Sequence, residues 1–452
     1  MYNLLADSGT LGYGIRAIGD VGLNWIGQLI RILIDGIGIV GVGIIVFTLI
    51  LKTIVLPLDI YSRIKGKKQA LIMERMRPQM EKLQKQYAND KNMYNQKVME
   101  LQKKSGYSMF GACLPMIVSL VIFIIVFQAF STYSQYANLK NYNDMVDVYN
   151  GVVQSYVVDT EHPETTPDGF LFEVKLEDGT VDYTVDYKRF ANAYNKVKGT
   201  SAGEDDVFSA LAEEYKKEHT GYDGAFNAKI VNFRENGELT TTAVSARNEL
   251  VSYYLEGPAA LEVKDFYEGK GKYTKAHDNH FLWVRNLWYP DSTLNREIPD
   301  FSKFKSTVSR AAIGDDYAES YNKVTAQLTS QKKHYNGYFI LIVLSIGLML
   351  LQQWLSMRAN KSVNELSTVD GSGAKTNKWM MIMMPIIYGI FSFFYSASFS
   401  LYMITNTLYG LITMLIINKS VDVWFKKKEE RGELDAYLNK SRKRGKSRKA
   451  VR

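Results

Sequence analysis

The sequence predicts an all-α membrane bundle of five core transmembrane helices, with a cytoplasmic helical hairpin and an α+β extracytoplasmic insertion domain. Three observations predict it: five long apolar stretches, a sharp separation of basic from acidic segments, and one lysine, Lys52, inside an apolar stretch.

A helix needs about 20 mostly apolar residues to cross a bilayer. Five segments of the 452 residues meet this: 37–58, 111–130, 337–357, 379–395 and 399–417. The last two are separated only by Ser396-Ala397-Ser398, so 379–418 reads as a helical hairpin. The mean hydropathy of −0.17 averages these stretches with very polar ones. The N-terminal segment, 1–36, lacks a basic start, an apolar core and a small-residue cleavage site in that order, so no cleavable signal is expected. Within it Leu23, Ile26, Leu29, Ile30 and Leu33 recur at helical spacing, with Asn24, Gln28 and Arg31 elsewhere. Two readings fit: an amphipathic helix in the membrane interface, or a continuation of the first span.

Residues 131–335 carry 23 Lys and Arg against 32 Asp and Glu, whereas the whole chain is +8. Basic residues collect in 60–108 and in 424–452, each with 12 against 4 acidic, and in the loop 358–378. With five spans these three segments share one side. Excess Lys and Arg mark the cytoplasm, so the N-terminus is expected outside and the C-terminus inside a bacterial cell membrane.

Segment 59–110 reads as the cytoplasmic hairpin. Leu71, Met76, Met80, Leu83 and Tyr87 form a broken apolar stripe, Ala88 to Lys91 the turn, and Asn92 to Lys103 a second helix. Its Arg75, Arg77, Lys82 and Lys85, with Arg442, Lys443 and Arg444 of the tail 419–452, are candidates for partner docking. Such basic runs suit anionic lipid or the phosphates of RNA alike. Segment 131–336 is α+β in pattern: an alternating stretch over 170–187 turns at Asp178-Gly179, a second turn is expected at Asn236-Gly237, a helix over 205–219, and another over 244–266 interrupted at Gly257-Pro258.

The one cysteine, Cys113, excludes an intrachain disulfide, and the five histidines are scattered. With no metal spacing, phosphate loop or nucleophile motif, neither a cofactor nor an enzyme activity is expected. Lys52 lies six residues before the inner end of its span, and Thr48 lies one turn away on the same face. An ionisable residue in a span is a functional candidate, although a lysine so placed can also snorkel to the headgroups. Tyr402, Thr405, Asn406 and Tyr409 line one face of the fifth span; Tyr388, Ser392, Tyr395 and Ser396 share a face of the fourth; Ser345, Gln352 and Ser356 align on the third. Such stripes either join helices by hydrogen bonds or line a wet cavity. A substrate groove would then contain Lys52, Thr48, Gln352, Ser356, Tyr402, Thr405, Asn406 and Tyr409. A transporter or channel, or a receptor using the outer domain, are the competing classes; the first would carry more intramembrane charges and internal repeats.

The run from Phe47 through Lys52 to Pro57-Leu58 resembles the first core span of the YidC family of insertases. Met76-Arg77-Pro78, Gly111-Ala112-Cys113-Leu114-Pro115, Phe281-Leu282-Trp283 with Pro290-Asp291, Met384-Pro385, and Leu401-Tyr402 through Asn406 resemble further family motifs in the same order. The resemblance implies five helices around a hydrophilic groove whose cation, usually arginine, falls at Lys52. It implies a membrane protein insertase and chaperone that handles nascent membrane proteins, alone or with the Sec translocon; the basic hairpin and tail add the ribosome and anionic lipids as candidate partners. Three departures stand out: lysine at the cation position, Met403 where many relatives carry an aromatic residue, and the long insertion after Phe130.

Overall fold

The computed structural model describes residues 13–105, 109–175, 181–219, 226–273, 279–359 and 372–438, with backbone alone at 91, 109–119, 181–182, 359, 372–378, 380–382 and 384. In chain order its helices are α1 (Trp25–Ile37), α2 (Val40–Gln86), α3 (Lys91–Ser105), α4 (Met109–Gln154), α5 (Tyr187–Lys198), α6 (Glu204–Glu218), α7 (Ala228–Val231), α8 (Thr241–Glu268), α9 (Phe301–Thr307), α10 (Tyr317–Val324), α11 (Thr329–Lys333), α12 (Ile340–Ala359), α13 (Ser372–Phe394) and α14 (Ala397–Glu430). Two antiparallel pairs complete it: β1 (Leu171–Lys175) with β2 (Val181–Val185), and β3 (Arg234–Glu235) with β4 (Glu238–Leu239). Among the described residues four helices are long and apolar enough to cross a membrane: α2, α4, α12 and α14. The described apolar part of α13 is shorter, Pro385–Phe394. The chain is a multi-pass membrane protein. Its apolar windows are only 22–56% buried, and Ile54, Val343 and Ile412 are openly exposed, as helices in an apolar solvent can be.

The chain divides into two compact units. One comprises 23–134, 279–297 and 335–452 and holds the spans. Here α1 starts at Asn24, whose side chain accepts from the Gly27 N–H, and stops at Gly38, a left-handed residue whose N–H returns to Ile34 O. That stop makes α1 a separate helix and not a continuation of the first span. Its buried stripe is Ile26, Ile30 and Ile34, and Ile34 packs on Gly43 of α2.

The first span and the first hairpin helix are one continuous helix, α2, which runs through Pro57 and Pro78. Its far half buries Ile72, Met73, Met76 and Met80 against Ile417, Val421 and Phe425 of α14 and against Leu434 and Leu438. Asp90 accepts from the Met93 N–H at the start of α3. Between the spans sits an aromatic cluster in which Phe130 meets Phe47 edge-on at 5.7 Å and Tyr402 at 5.2 Å, while Phe399 meets Phe127 at 5.3 Å.

The segment 279–297 ties the ends of these helices together. Asn336 donates to the carbonyls of Asn286, Tyr289 and Pro290. The wholly buried Asp291 accepts from the N–H groups of Tyr338 and Leu341, satisfying the open start of α12. Ser134 donates to Trp288 O, and the N–H groups of Ala397 and Ser398 donate to Tyr289 O and Leu287 O.

The other unit comprises 1–22, 135–278 and 298–334. Leu139, Tyr142, Val146, Tyr149 and Val153, alternately three and four residues apart on α4, pack with Leu250, Leu255 and Val263 of α8 and with Phe190, Phe208 and Tyr321. Asn143 and Asn150, one heptad apart, each clasp the backbone of the N-terminal strap, at Ile18 and Ile15. Contrary to the expected interruption, α8 runs unbroken through Gly257-Pro258, held by Leu255 on one side and Ala259 and Ala260 on the other. Asn236 and Gly237 are both left-handed and join β3 to β4 in a two-residue turn. Asp178-Gly179 lies outside the described residues, between the paired strands β1 and β2.

Candidate functional site

In α2 the informative pattern extends beyond Lys52. Asp59 and Arg63 follow it by 7 and 11 residues, spacings that place all three on one helix face. They are the charged groups that act most on the Lys52 ammonium. All three side chains are half-buried. Among the described residues no hydrogen bond or ion pair holds Lys52, whereas Arg63 donates to Asn418 Oδ1 of α14 at 3.1 Å. The sequence signal for Asp59 and Arg63 was this periodicity, carried past the nominal end of the span at Leu58.

Beside this stripe, Thr53 Oγ1 and Tyr409 Oη of α14 lie 3.4 Å apart. One residue on, Gly410 allows α12 to approach closely: a Cβ there would come 2.6 Å from Nε2 of Gln352. Thr53, Tyr409, Gly410 and Gln352 thus bring α2, α12 and α14 to one place. Asn406 and Ser356 are half-buried on the helices that meet there. Thr405, also half-buried, donates to Leu401 O within its own helix. Thr48 and Tyr402 are placed differently. Thr48 is wholly buried and donates to Ile44 O at 2.7 Å, while Tyr402, 3% exposed, belongs to the aromatic cluster. Of the other stripes, Ser345 and Ser392 are buried and donate to Ile342 O and Tyr388 O of their own helices. Such bonds satisfy a hydroxyl locally.

On α2 beyond the span, Lys82 and Lys85 are exposed. Arg75 pairs with Asp435 at 2.5 Å, and Arg77 with Glu81 at 3.1 Å one turn on. Arg442, Lys443 and Arg444 lie outside the described residues.

In the other unit the charged centre is Arg247, a residue the sequence did not single out. Its guanidinium is wholly buried, donating to Val231 O, Glu204, Asp205 and Asn232 and lying over the rings of Phe208 and Tyr187 at 4.3 and 5.2 Å. Arg234 adds two bonds to Asp205 and holds its carboxyl below the usual aspartate range, aided by Arg247 and opposed by burial. Each of the three guanidinium nitrogens of Arg247 donates to an acceptor of the same unit, which marks it as a staple and not a binding site.

Comparison with known proteins supplies the remaining findings. The family model described as 60Kd inner membrane protein matches residues 32–157 and 264–426. A protein of Fusobacterium nucleatum named membrane protein insertase YidC is 38% identical over 91 residues, 20% of this chain and 42% of that protein. Proteins of the same name from Leptospira interrogans and Caldanaerobacter subterraneus are each 33% identical, over 133 residues (28% of this chain, 18% of that one) and 98 residues (22% and 46%). The chain spans less than half the length of each of these relatives. No solved structure matches it.

Proposed function

We propose a function on one premise: this chain belongs to the 60Kd inner membrane protein family. It is a membrane protein insertase that takes hydrophilic parts of nascent client proteins into an intramembrane groove and releases their apolar helices into lipid. The observation that carries this reading is where the family match falls. Its two stretches take in α2, α4, α12, α13 and most of α14, and they leave out 158–263.

In the groove so proposed, Lys52 supplies the positive charge, with Thr405, Asn406, Tyr409, Gln352 and Ser356 as polar walls and Thr48 and Tyr402 in the closed floor. A bare peptide group costs several kcal/mol in hydrocarbon. A polar wall offers hydrogen bonds in place of lost water, and a half-buried ammonium with no fixed partner attracts carboxylates. Asp59 and Arg63 extend the charge toward the cytoplasm in the order plus, minus, plus, a path along which an acidic client segment exchanges one cation for the next. The work is done by solvation alone, without covalent chemistry.

The reading includes five spans, with α13 as the fourth, the N-terminus outside and the C-terminus in the cytoplasm. The segment 131–336 is then an extracytoplasmic α+β insertion. Lys82, Lys85 and the tail with Arg442, Lys443 and Arg444 face the ribosome and anionic lipids, and Sec is a second partner. Arg75 and Arg77, already paired, contribute less to docking.

The test is complementation of bacteria depleted of their own insertase, with membrane levels of each variant checked. The intact chain and Lys52→Arg are expected to restore growth, and Lys52→Ala to lower client insertion about tenfold or more, the scale of one lost charge interaction of about 1.4 kcal/mol or above. Full rescue by Lys52→Ala at equal levels would remove Lys52 from the mechanism. Failure of a stably inserted intact chain would sink the general insertase reading.

A further inference from the structure

Residues Phe281 to Val284 form a four-residue turn closed by two reciprocal bonds, Phe281 N–H to Val284 O at 2.9 Å and Val284 N–H to Phe281 O at 3.0 Å. Leu282 occupies its first corner with φ +57, in the left-handed region. A turn of this kind favours glycine there, because a Cβ is strained at positive φ. Leucine is therefore a poor choice for the turn itself. Nor does it fill a core, for Leu282 is 59% exposed. In water this corner pays twice, once in backbone strain and once in exposed apolar surface.

The turn is held firmly. The ring of Phe281 fills the notch over Gly41 at the start of α2, where a Cβ would overlap it. The indole N–H of Trp283 points to Asp291 Oδ2 at 3.5 Å, the same carboxylate that caps α12, and Val284 is wholly buried. Leu282 thus projects from a fixed base at the same ends of two spans. The apolar surface of those spans starts beside it, with Ile39 (45% exposed) ahead of α2 and Ile340 and Val343 opening α12. The linking segments add exposed Tyr338 and Leu294, the latter at 84%. Tyr and Trp side chains collect at the boundary between headgroups and acyl chains, and segments lying in the interface bury Leu and Phe side chains at the same depth.

We propose that the Phe281–Val284 turn is a lipid-anchoring tip, whose Leu282 seats in the headgroup–acyl boundary of the leaflet at the Val40 end of α2, with Leu294 and Tyr338 on the same surface. The gain from removing these side chains from water offsets the strain at Leu282 and explains a leucine where glycine fits the backbone better. The proposal needs only that α2 and α12 span the bilayer, and it stands or falls apart from the insertase reading.

The test places a bimane fluorophore at Leu282→Cys in a Cys113→Ser background of the full chain, in phosphatidylcholine–phosphatidylglycerol vesicles. One arm carries lipid with a nitroxide on the upper acyl chain; the other receives aqueous iodide. Lipid nitroxide is expected to reduce emission about twofold while iodide has little effect, the pattern of an interfacial residue. Iodide quenching without lipid quenching would overturn the proposal, and shielding from both reagents would assign the tip to protein contact and overturn it as well. Should the labelled Leu282→Cys protein fail to fold, Leu294→Cys gives the same readout with the same two outcomes. Leu282→Gly is expected to leave thermal stability in detergent unchanged or raised; a marked loss there would make Leu282 a packing residue and count against the tip.

Discussion

Arg247 and Lys52 are both cations withdrawn from water, yet their surroundings are opposite. Arg247 is enclosed by four acceptors and two aromatic faces. Lys52, half-buried in α2, has no hydrogen bond or ion pair among the described residues, and only the more distant charges of Asp59 and Arg63 act on it. A buried charge with every donor bonded stabilises a particular arrangement, and removing it strands its partners. A charge without fixed partners adds little to the fold and retains its capacity to bind. The difference separates a structural cation from a candidate functional one.

The largest effect is expected at the structural centre. Arg247→Ala leaves Asp205 with Arg234 alone, Glu204 with only the more distant Arg234 and Val231 O without its donor, and it should destabilise its unit by about 3 kcal/mol. Limited proteolysis between α6 and α8 reads this directly. All six tryptophans, Trp25, Trp283, Trp288, Trp354, Trp379 and Trp424, belong to the other unit, so their emission reports the spans separately. If Arg247→Ala leaves the α6–α8 region as protease-resistant as before, the contrast with Lys52 fails.

The reverse is expected at Lys52. In Lys52→Met no partner is orphaned and a partly desolvated charge is removed, so the thermal midpoint read from tryptophan emission should hold or rise. A fall comparable to that of Arg247→Ala would mean that Lys52 is itself a structural cation, and the groove reading would lose its central residue.

Four of the five expected spans and the place of Lys52 were legible because hydropathy and a lone charge are local signals. The stop at Gly38 and the run of α2 through Pro57 were less legible. A glycine ends a helix only when its neighbours leave it a left-handed exit, and a proline is tolerated where the surrounding helices hold the chain. The extension of α4 was visible in the spacing of Leu139, Tyr142, Val146, Tyr149 and Val153, but intervening polar residues masked it when the stretch was read for membrane hydropathy. For the candidate site, Lys52 was readable, whereas Asp59 and Arg63 were passed over because their shared period with Lys52 runs on beyond the apolar stretch. The burial of Thr48 and Tyr402, and the meeting of Gln352 with Gly410, depend on how α2, α12 and α14 cross, which no single helix encodes. Arg247 was not legible at all, because its acceptors are scattered from Glu204 to Asn232.

The smallest effect, and the finest test of the contrast, is the pH response of the Arg247 centre. Asp205 is held below the usual aspartate range first by its bonds to Arg234 and then by Arg247. A carboxylate with a depressed native pKa contributes stability above its unfolded value of about 3.9, and that contribution is lost as pH falls through the native pKa. Local protection of α6 and α7 should therefore decline below about pH 4. Because Asp205 is nearly half exposed, at 46%, the change should be modest. In Asp205→Asn the decline should flatten, with protection already lower at neutral pH because Arg234 and Arg247 have lost a charged acceptor. Hydrogen exchange of the α6–α7 peptides from pH 3 to 6, corrected for the intrinsic rate, reads this out. An identical acid response in wild type and Asp205→Asn would place the titrating group elsewhere in the unit and remove Asp205 from the contrast.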